Sequence, residues 1–156
     1  MQGDITILDV DCIVNAANEK LMSGGGVCGA IHQAAGEGLA QECKRIGHCG
    51  VGEARITKGY HLKAKHVIHT VGPIWHGGEH GEDQYLFNCY KKSLLLATHH
   101  NIETIVFPNV STGIFGYPKD LAAQTAIAAV KQHQNSGRRL KEVAFCCFDH
   151  DLSLIH

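Results

Sequence analysis

The chain has 156 residues, of which 44% are hydrophobic and 19% charged, and its formal net charge is -1. This length predicts one domain over residues 1–156, the composition excludes disordered and fibrous proteins, and the near-neutral charge without a dense Lys/Arg block argues against duplex nucleic acid as a partner. Residues 1–4 do not resemble the start of a secretory leader and no run has the length of a membrane span, so we expect a cytoplasmic protein without a membrane partner.

The N-terminal half of the sequence alternates short strands with helical segments. A short apolar run predicts a buried strand at residues 12–14. Apolar residues at three- and four-residue spacing then predict two helical pieces within residues 28–43. Two further strands are predicted at residues 54–57 and 66–71. This order of elements is typical of an α/β domain.

The C-terminal half continues the alternation. Residues 76–83 are polar and glycine-rich, which predicts a mobile surface loop whose Asp83 caps the next helix. The later elements are predicted in this order: a helix ending near residues 99–101, a strand at 104–107, a helix after Pro118, a strand at 143–148 and the start of a terminal helix at 149–152. The sequence leaves open whether an N-terminal strand and the end of this terminal helix are trimmed. The whole pattern predicts a three-layer α/β/α sandwich with helices on both faces of a central mixed, mostly parallel sheet.

Seven cysteines and 12 histidines raise the question of disulfides and metals. Several cysteines lie inside apolar runs, as Cys146 and Cys147 do, which predicts reduced and buried thiols. The chain contains no Cys-x-x-Cys pair and no His-Glu-x-x-His motif, so we expect no structural metal and no cofactor.

Two glycine-rich loops, at residues 24–29 and 113–116, each follow a predicted strand and precede a predicted helix. The three consecutive glycines at 24–26 have no Cβ, so their N–H groups can approach an anion closely. The helix that follows adds its own unpaired N–H groups and the positive end of its dipole. We therefore expect both loops to converge on one crevice and to bind a phosphate group there.

The glycine spacing also fits a dinucleotide-binding fingerprint, with Gly24, Gly26 and Gly29 in the required positions. In that motif the glycines follow the first strand directly, whereas here they lie ten residues beyond Val14. The acidic residue expected on a second strand, Glu42, falls in a helical stretch. These departures argue against NAD-dependent hydride transfer, and the absence of a Gly-Lys-Ser/Thr sequence excludes a Walker A loop.

An ordered set of motifs resembles the macrodomain family. The blocks are Gly-Asp-Ile-Thr at 3–6, Ile-Val-Asn-Ala-Ala-Asn at 13–18, Gly-Gly-Gly-Val at 24–27, Ala-Ile-His-x-Ala-Ala-Gly at 30–36, His-Thr-Val-Gly-Pro at 69–73 and Ser-Thr-Gly-Ile-x-Gly-Tyr-Pro at 111–118. Residues 145–149 are similar to the family's last strand. The resemblance points to the branch that includes mono-ADP-ribosyl hydrolases and O-acetyl-ADP-ribose deacetylases.

The resemblance implies a set of residues that bind ADP-ribose. Asp4 and Ile5 would contact the adenine, with Phe148 against its ring. Asp4 as a turn residue or helix cap, and Phe148 as a core aromatic, remain alternatives. Asn15 would lie near the ligand, although an asparagine that stabilises the turn after the strand is the alternative. Backbone amides would hold the diphosphate, and Phe115 would pack on the distal ribose; the residues implied here are Gly25, Gly26, Val27, Ser111, Thr112, Gly113, Ile114 and Phe115.

Three residues are implied in catalysis: Asn18 at the distal ribose hydroxyls, Cys28, and His32 one turn later. Active members of the branch usually carry an aspartate at the position of Cys28, where it orients or activates water. A thiol is a poor substitute, so we interpret Cys28 as a small packing residue, with a nucleophilic thiol as the alternative. For His32, a satisfied and partly buried ring is the alternative. Loss of a general base predicts hydrolysis slower by about 10²–10⁴-fold.

The implied partner is ADP-ribose or an ADP-ribosylated substrate, including mono-ADP-ribosylated proteins. We expect hydrolysis of an ester at the distal ribose, either of a mono-ADP-ribosylated carboxylate or of O-acetyl-ADP-ribose. A non-catalytic ADP-ribose reader and an ADP-ribose 1''-phosphatase use the same pocket and remain alternatives.

Overall fold

The computed structural model describes residues 3–112, 115–137 and 140–146, together with the backbone of residues 152–155. A short 3-10 turn, Ile5–Ile7, precedes ten helices and strands in these ranges. Their bounds are β1 Cys12–Ala16, α1 Gly26–Ala35, α2 Glu37–Ile46, β2 Ala54–Lys58, β3 His66–Thr70, α3 Glu82–His99, β4 Thr104–Phe107, α4 Lys119–Gln134, β5 Glu142–Cys146 and β6 Leu152–Ile155. None of the helices in this described part of the chain combines the length and hydropathy of a membrane-spanning segment.

The described strands form one six-stranded sheet in the order β2-β3-β1-β4-β5-β6. The four central strands are parallel, whereas β2 and β6 are antiparallel to their neighbours. In the centre of the sheet Ile13 lies opposite both Val67 of β3 and Val106 of β4. The mixed, mostly parallel sheet confirms the predicted fold class.

Residues on successive positions of β1 pack on opposite faces of the sheet, as the two-residue period of a strand requires. Val14 belongs to a core that also contains Leu86 and Leu94 of α3. Ile13 belongs to a second core, which contains Ile31 of α1 and Leu39 of α2. The sheet therefore lies between two layers of helices. Its carboxyl-terminal edge is left to the loops that follow the strands.

The cysteines whose side chains are described are all free and buried: Cys12, Cys28, Cys43, Cys49, Cys89 and Cys146. This agrees with the prediction for those residues, and Cys147 lies outside the described residues. Burial raises the pKa of Cys43 and of Cys49 to about 11, with smaller contributions from nearby charged side chains. These two thiols therefore remain protonated and unreactive at neutral pH.

The terminal helix predicted to start at 149–152 is wrong from Leu152 onward, because Leu152–Ile155 forms strand β6. β6 pairs antiparallel with β5, so that Val143 lies opposite Ile155. An edge strand offers unpaired backbone groups along its whole length, and a helix of one turn cannot compete with that pairing. The end of the predicted strand at 143–148 and residues 149–151 lie outside the described residues.

The loop before α3 is organised by Glu82 and not by Asp83, so the predicted cap is wrong. Gly81, with φ of +79°, occupies the position before the helix. The buried Glu82 carboxylate accepts backbone N–H groups of His76 at 2.8 Å, Gly78 at 2.9 Å and His80 at 2.6 Å. The carboxylate reaches back over the loop, and Asp83 is left exposed in the first turn.

Candidate functional site

Two loops meet at the carboxyl-terminal edge of the sheet and enclose a cleft of about 660 Å³. One loop connects β1 to α1, and the other connects β4 to α4. We call this space the glycine cleft, and its described lining residues are Ala16, Ala17, Asn18, Gly24, Gly25, Gly26, Val27, Cys28, Gly72, Asn109, Val110, Ser111, Thr112, Phe115, Lys119 and Cys146. The predicted convergence of the two glycine-rich loops is therefore confirmed for their described parts.

The first wall of the glycine cleft is the N-terminus of α1. Gly25 precedes the helix and offers no side-chain cap, so the first-turn N–H groups of the helix are available to a ligand. Gly26 has φ of +55°, in the left-handed region that favours glycine. Gly29 lies directly against the Gly24 carbonyl, where a side chain would collide with the loop. This wall thus presents bare backbone and a positive helix dipole to the cleft.

The second wall contains a strained and buried serine. Ser111 has φ of +67°, an uncommon conformation for a residue other than glycine, and its side chain is 7% exposed. None of the described residues forms a hydrogen bond with its hydroxyl oxygen. A buried unsatisfied hydroxyl is typical of a site that receives a ligand or an ordered water. Gly113 and Ile114, predicted to continue this wall, lie outside the described residues.

The charge of the cleft suits an anion. Among its described lining residues there is no Asp or Glu, whereas Lys119 is present. Backbone N–H groups of the first wall add partial positive charge without a second cationic side chain. The arrangement can therefore neutralise a diphosphate mainly through amide dipoles.

Asn18 lies at one end of the glycine cleft, where its side chain braces the first loop. Its Oδ1 accepts the backbone N–H of Met22 at 3.0 Å, and its Nδ2 donates to the Met22 carbonyl oxygen at 2.8 Å. The side chain is half-buried and lines the cleft. Asn18 therefore fixes residues 18–22, and its predicted contact with a distal ribose remains a prediction.

Cys28 lies in the first turn of α1 and is 7% exposed. Its thiol donates to the Met22 carbonyl oxygen at 3.5 Å, and Asn15 Nδ2 lies 3.7 Å from the sulfur. These contacts are those of a small polar packing residue, although the sulfur also lines the cleft. A thiol in this position can orient water through weak hydrogen bonds, but it lacks the carboxylate oxygens that serve as a general base.

A buried polar network lies beneath the cleft. Asn15 lies within β1, not in the turn after it, so the alternative role in that turn is wrong. Its Nδ2 is 3.1 Å from Nδ1 of His69 on the adjacent strand, and Nε2 of His69 is 3.0 Å from Thr57 Oγ1. Burial, with a smaller contribution from His32, lowers the pKa of His69 to about 3. The His69 ring is therefore neutral at pH 7, and Asn15 supports the cleft from below without lining it.

His32 is also buried, but it does not line the glycine cleft. In the described part of the chain neither of its ring nitrogens has a hydrogen-bond partner, so the alternative of a satisfied ring is not found. Its ring centroid lies 6.4 Å from that of His69. Burial lowers the pKa of His32, which favours a neutral ring. The predicted catalytic role of His32 remains a prediction.

Sequence reasoning missed His69 and Thr57 as supports of this network. The available signal was a histidine inside the predicted strand at 66–71, between the apolar Ile68 and the β-branched Thr70, where a polar ring must find partners. The partner on β1 could not be identified from the sequence, because Asn15 and His69 are 54 residues apart.

The N-terminal residues lie next to the end of β5. Asp4 Oδ1 accepts the Thr6 backbone N–H at 2.9 Å and begins the Ile5–Ile7 turn, which is the cap alternative considered for it. Ile5 is buried in the core. The Cys146 thiol, which lines the cleft, donates to the Gly3 carbonyl oxygen at 3.6 Å. The adenine contacts of Asp4 and Ile5 remain predictions, and Phe148 lies outside the described residues.

A second cleft of about 720 Å³ adjoins the glycine cleft. We call it the side cleft, and its described lining residues are Asn18, Glu19, Lys20, Met22, Ser23, Val51, Val71, Gly72, Pro73, Ile74, His76, His80, Glu82, Tyr85 and Phe115. Asn18, Gly72 and Phe115 line both clefts. These three residues therefore lie at the boundary between the two clefts.

Comparison with known proteins agrees with this geometry. The family model described as Macro domain matches residues 14–126. A macro domain-containing protein of Chlorobaculum tepidum is 55% identical over 155 residues, which cover 99% of this chain and 90% of that protein. A protein of Klebsiella pneumoniae named O-acetyl-ADP-ribose deacetylase is 49% identical over 158 residues, with coverage of 99% and 90%.

A similar solved structure is that of an Oceanobacillus iheyensis macrodomain, a point mutant with bound ADPR, meaning ADP-ribose. It superimposes with a TM-score of 0.89 at 38% identity and covers 96% of this chain and 83% of its own. The family model, the full-length relatives and the shared fold lead to one conclusion: this chain belongs to the macro domain family.

Proposed function

We propose that this macrodomain binds ADP-ribose in the glycine cleft and hydrolyses an ester at the distal ribose. The observation that carries the proposal is the meeting of two backbone walls, at residues 25–28 and 111–112, around a cleft whose described lining contains no carboxylate. Such a cleft favours a diphosphate over a neutral ligand. The relatives support the ligand, since one similar structure holds ADPR and one relative is named O-acetyl-ADP-ribose deacetylase.

In this proposal the diphosphate accepts hydrogen bonds from the Gly25 N–H, just before α1, and from the first-turn N–H groups of Gly26 and Val27 on one side. On the other side it contacts Thr112 and the Ser111 hydroxyl, which has no hydrogen-bond partner among the described residues. The adenine extends toward Asp4 and Ile5, beyond Cys146. The distal ribose then lies between Asn18 and Phe115, at the boundary with the side cleft.

Hydrolysis adds water across the ester bond. The water oxygen attacks the acyl carbon, the bond from that carbon to the ribose oxygen breaks, and the ribose oxygen leaves with a proton. The products are a carboxylic acid and ADP-ribose. No described carboxylate lines the cleft to act as base, so the Asn18 amide, the Cys28 thiol and a substrate phosphate oxygen would orient the water. His32 would act only indirectly, through the buried network near His69.

A second candidate, a non-catalytic ADP-ribose reader, is favoured by one observation. Cys28 takes the position at which the family resemblance implies an aspartate, and its sulfur contacts only Asn15 and Met22 among the hydrogen-bonding partners described. Without a strong base the pocket would bind the product-like ligand and turn over slowly.

Calorimetric titration with ADP-ribose tests binding, with NAD as the control ligand. We expect a micromolar or tighter dissociation constant for ADP-ribose and much weaker binding of NAD. Incubation with O-acetyl-ADP-ribose, followed by chromatography of released ADP-ribose, then separates enzyme from reader. Binding without release supports the reader, and no binding of ADP-ribose contradicts both candidates.

A further inference from the structure

A chain of four side chains runs from strand β2, at the edge of the sheet, to the glycine cleft. Thr57 Oγ1 lies 3.0 Å from Nε2 of His69, and Nδ1 of His69 lies 3.1 Å from Asn15 Nδ2. The same Asn15 nitrogen lies 3.7 Å from Cys28 Sγ. Thr57, His69 and Asn15 are buried and line neither cleft. Cys28 is therefore the point at which this buried chain reaches the cleft.

The hydroxyl of Thr57 fixes one end of the chain. It lies 3.1 Å from the Lys58 carbonyl oxygen and 3.5 Å from the Val67 carbonyl oxygen, and both of these atoms can only accept a hydrogen bond. The single hydroxyl hydrogen is therefore directed to the backbone, and the Thr57 oxygen is left to accept a hydrogen from Nε2 of His69. The Cys43 sulfur, 3.9 Å from the same nitrogen, is a weak second acceptor.

The contact with Thr57 places the ring hydrogen of His69 on Nε2. Burial lowers the pKa of His69 to about 3, so the ring is neutral at pH 7 and carries one N–H hydrogen. With that hydrogen on Nε2, the other ring nitrogen, Nδ1, can only accept. Nδ1 therefore selects the nitrogen of the Asn15 amide and not its oxygen, at the observed distance of 3.1 Å.

The Asn15 amide transmits this orientation to position 28. One of its two N–H groups donates to His69 and the other donates to Cys28 Sγ. The Cys28 S–H is directed to the Met22 carbonyl oxygen at 3.5 Å. Because its one hydrogen is used on Met22, the sulfur offers only lone pairs to the cleft, and it can accept a hydrogen from a water bound there.

An Asn15 amide rotated by 180° would reverse the hydrogen bonds of the chain. The amide oxygen would then face His69 and Cys28, which requires a hydrogen on Nδ1 and lets the S–H turn from Met22 to Asn15. The Thr57 hydrogen would have to leave the backbone carbonyl oxygens for Nε2. The two arrangements thus differ in one measurable property, namely which nitrogen of His69 carries the hydrogen.

We infer, on the basis of the proposed hydrolysis, that His69 is a positioning residue: its Nε2–H tautomer fixes the Asn15 amide and thereby makes Cys28 Sγ an acceptor for the attacking water. The water donates one hydrogen to the sulfur, which leaves a lone pair of the water oxygen free to face the acyl carbon. His69 acts only through Asn15, because its ring is buried and does not line the cleft.

The tautomer is tested by ¹⁵N NMR of the wild-type protein at pH 7. The signals of His69 are those that disappear in His69→Gln. We expect the hydrogen on Nε2 and an unprotonated Nδ1. A hydrogen on Nδ1 would overturn the inference and would leave the proposed function untouched.

Thr57→Val tests the step from tautomer to chemistry, because it replaces the accepting hydroxyl by a methyl group of similar size. We expect a mixture of both His69 tautomers and a rate of O-acetyl-ADP-ribose hydrolysis that is about tenfold lower, the factor that one buried hydrogen bond supplies. The affinity for ADP-ribose, measured by calorimetry, should not change, since Thr57 lines neither cleft. Thr57→Ser is the matched control, because it keeps the hydroxyl and should keep the wild-type tautomer and rate.

A second pair of variants changes the ring itself. His69→Leu should lower the rate at least as far as Thr57→Val does, without a loss of ADP-ribose affinity. His69→Gln should restore part of the rate, because its carbonyl oxygen can accept from Asn15 while its amide nitrogen donates to Thr57. Thermal unfolding curves show whether both variants fold, and Thr57→Val decides the matter if His69→Leu does not.

The outcomes separate this inference from the proposed function. If the wild-type protein hydrolyses the ester and Thr57→Val keeps the full rate with mixed tautomers, only the positioning role of His69 is wrong. Equal losses of rate in His69→Leu and His69→Gln would lead to the same conclusion. If the wild-type protein binds ADP-ribose but does not hydrolyse the ester, the proposed hydrolysis fails and this inference fails with it.

Discussion

Gly72 packs so closely on Ser111 that a methyl group at position 72 would overlap the serine hydroxyl and would lie 2.7 Å from Val110 Cγ1. Gly72 follows β3 and Ser111 follows β4, the two strands that flank β1 in the sheet, and Gly72 lines both clefts. The absence of a side chain at position 72 therefore leaves the space that the Ser111 hydroxyl occupies in the second wall of the glycine cleft.

Gly72→Ala is expected to weaken ADP-ribose binding by about tenfold or more, because the second wall must move to relieve the overlap. Calorimetry measures the affinity, and a thermal unfolding curve shows whether the protein still folds. Gly50→Ala is the matched control: the atom its methyl group would meet is the end of the flexible Glu53 side chain. Wild-type affinity in Gly72→Ala would contradict the assignment of this wall.

Asn18→Ala is expected to reduce both turnover and affinity, with turnover falling more. The change removes the proposed ribose contact and also both hydrogen bonds that hold Met22. Asn18→Asp is the comparison variant, since it retains an acceptor for the Met22 N–H but loses the donor to the Met22 carbonyl. Compared with Asn18→Ala, we expect Asn18→Asp to regain part of the ADP-ribose affinity and almost none of the hydrolysis rate. Release of ADP-ribose from O-acetyl-ADP-ribose measures the rate, and full turnover in Asn18→Ala would show that this residue does not act at the ester.

Cys28→Asp is expected to raise hydrolysis, by up to about 10²-fold, because a carboxylate at the start of α1 can orient and activate water. The same change should lower the free energy of unfolding by about 1–3 kcal/mol, since a buried carboxylate would lie near the Met22 carbonyl oxygen. Cys28→Asn introduces a side chain with the shape of aspartate but without its charge, and it should not accelerate the reaction. Rates are measured with a mono-ADP-ribosylated carboxylate, and an unchanged or lower rate in Cys28→Asp contradicts this account of the position.

The stability of the protein is expected to fall as the pH drops below about 6.5. The pKa of His69 is about 3 in the folded protein, lowered by burial, against 6.5 in the unfolded chain. The unfolded chain therefore binds a proton that the folded protein rejects, so unfolding becomes easier as pH decreases, by at most about 1.4 kcal/mol per pH unit from this group. Burial lowers the pKa of His32 and His133 as well, which acts in the same direction.

Urea unfolding at a series of pH values between 5 and 7.5 measures this slope. His69→Gln should flatten it, because the variant has no group that titrates at that site. The exposed His48→Gln is the control and should keep the wild-type slope. If the free energy of unfolding of His69→Gln depends on pH as steeply as that of His48→Gln, His69 does not govern the acid sensitivity.

Glu82→Gln is expected to loosen the wall of the side cleft. Burial alone would raise the pKa of Glu82, but the backbone N–H groups of His76, Gly78 and His80 together lower it to about 2. The carboxylate is thus ionised at neutral pH, and its contribution to stability is present above about pH 4.5 and is lost as the pH falls toward 2. Hydrogen exchange should show faster exchange at the three amides in Glu82→Gln, whereas Glu79→Gln, an exposed change in the same loop, should not alter it. Equal protection in both variants would contradict the role of Glu82.

The order of strands and helices was predictable because it rests on local patterns. The glycines at 24–26, the apolar run at 12–14 and the helical spacing after residue 28 act within a few residues of one another. The terminal helix was predicted wrongly for the opposite reason: β6 exists because β5 offers it an edge, and no local pattern records that pairing. Asp83 was chosen as a cap by the same local reasoning, whereas Glu82 reaches back to three amides of the preceding loop.

By itself the sequence determined the alternation of strands and helices, the two glycine-rich loops and the motifs of the macrodomain family, because each depends on residues close together in the chain. Only the tertiary structure decided that Asn15 supports the cleft through His69, that Gly72 packs on Ser111 and that a second cleft opens beside Asn18. Asn15 and His69 lie on the neighbouring strands β1 and β3, whereas Gly72 and Ser111 follow β3 and β4, which flank β1. These residues are far apart in sequence, and the pairing of β1 with β3 and β4 brings them together.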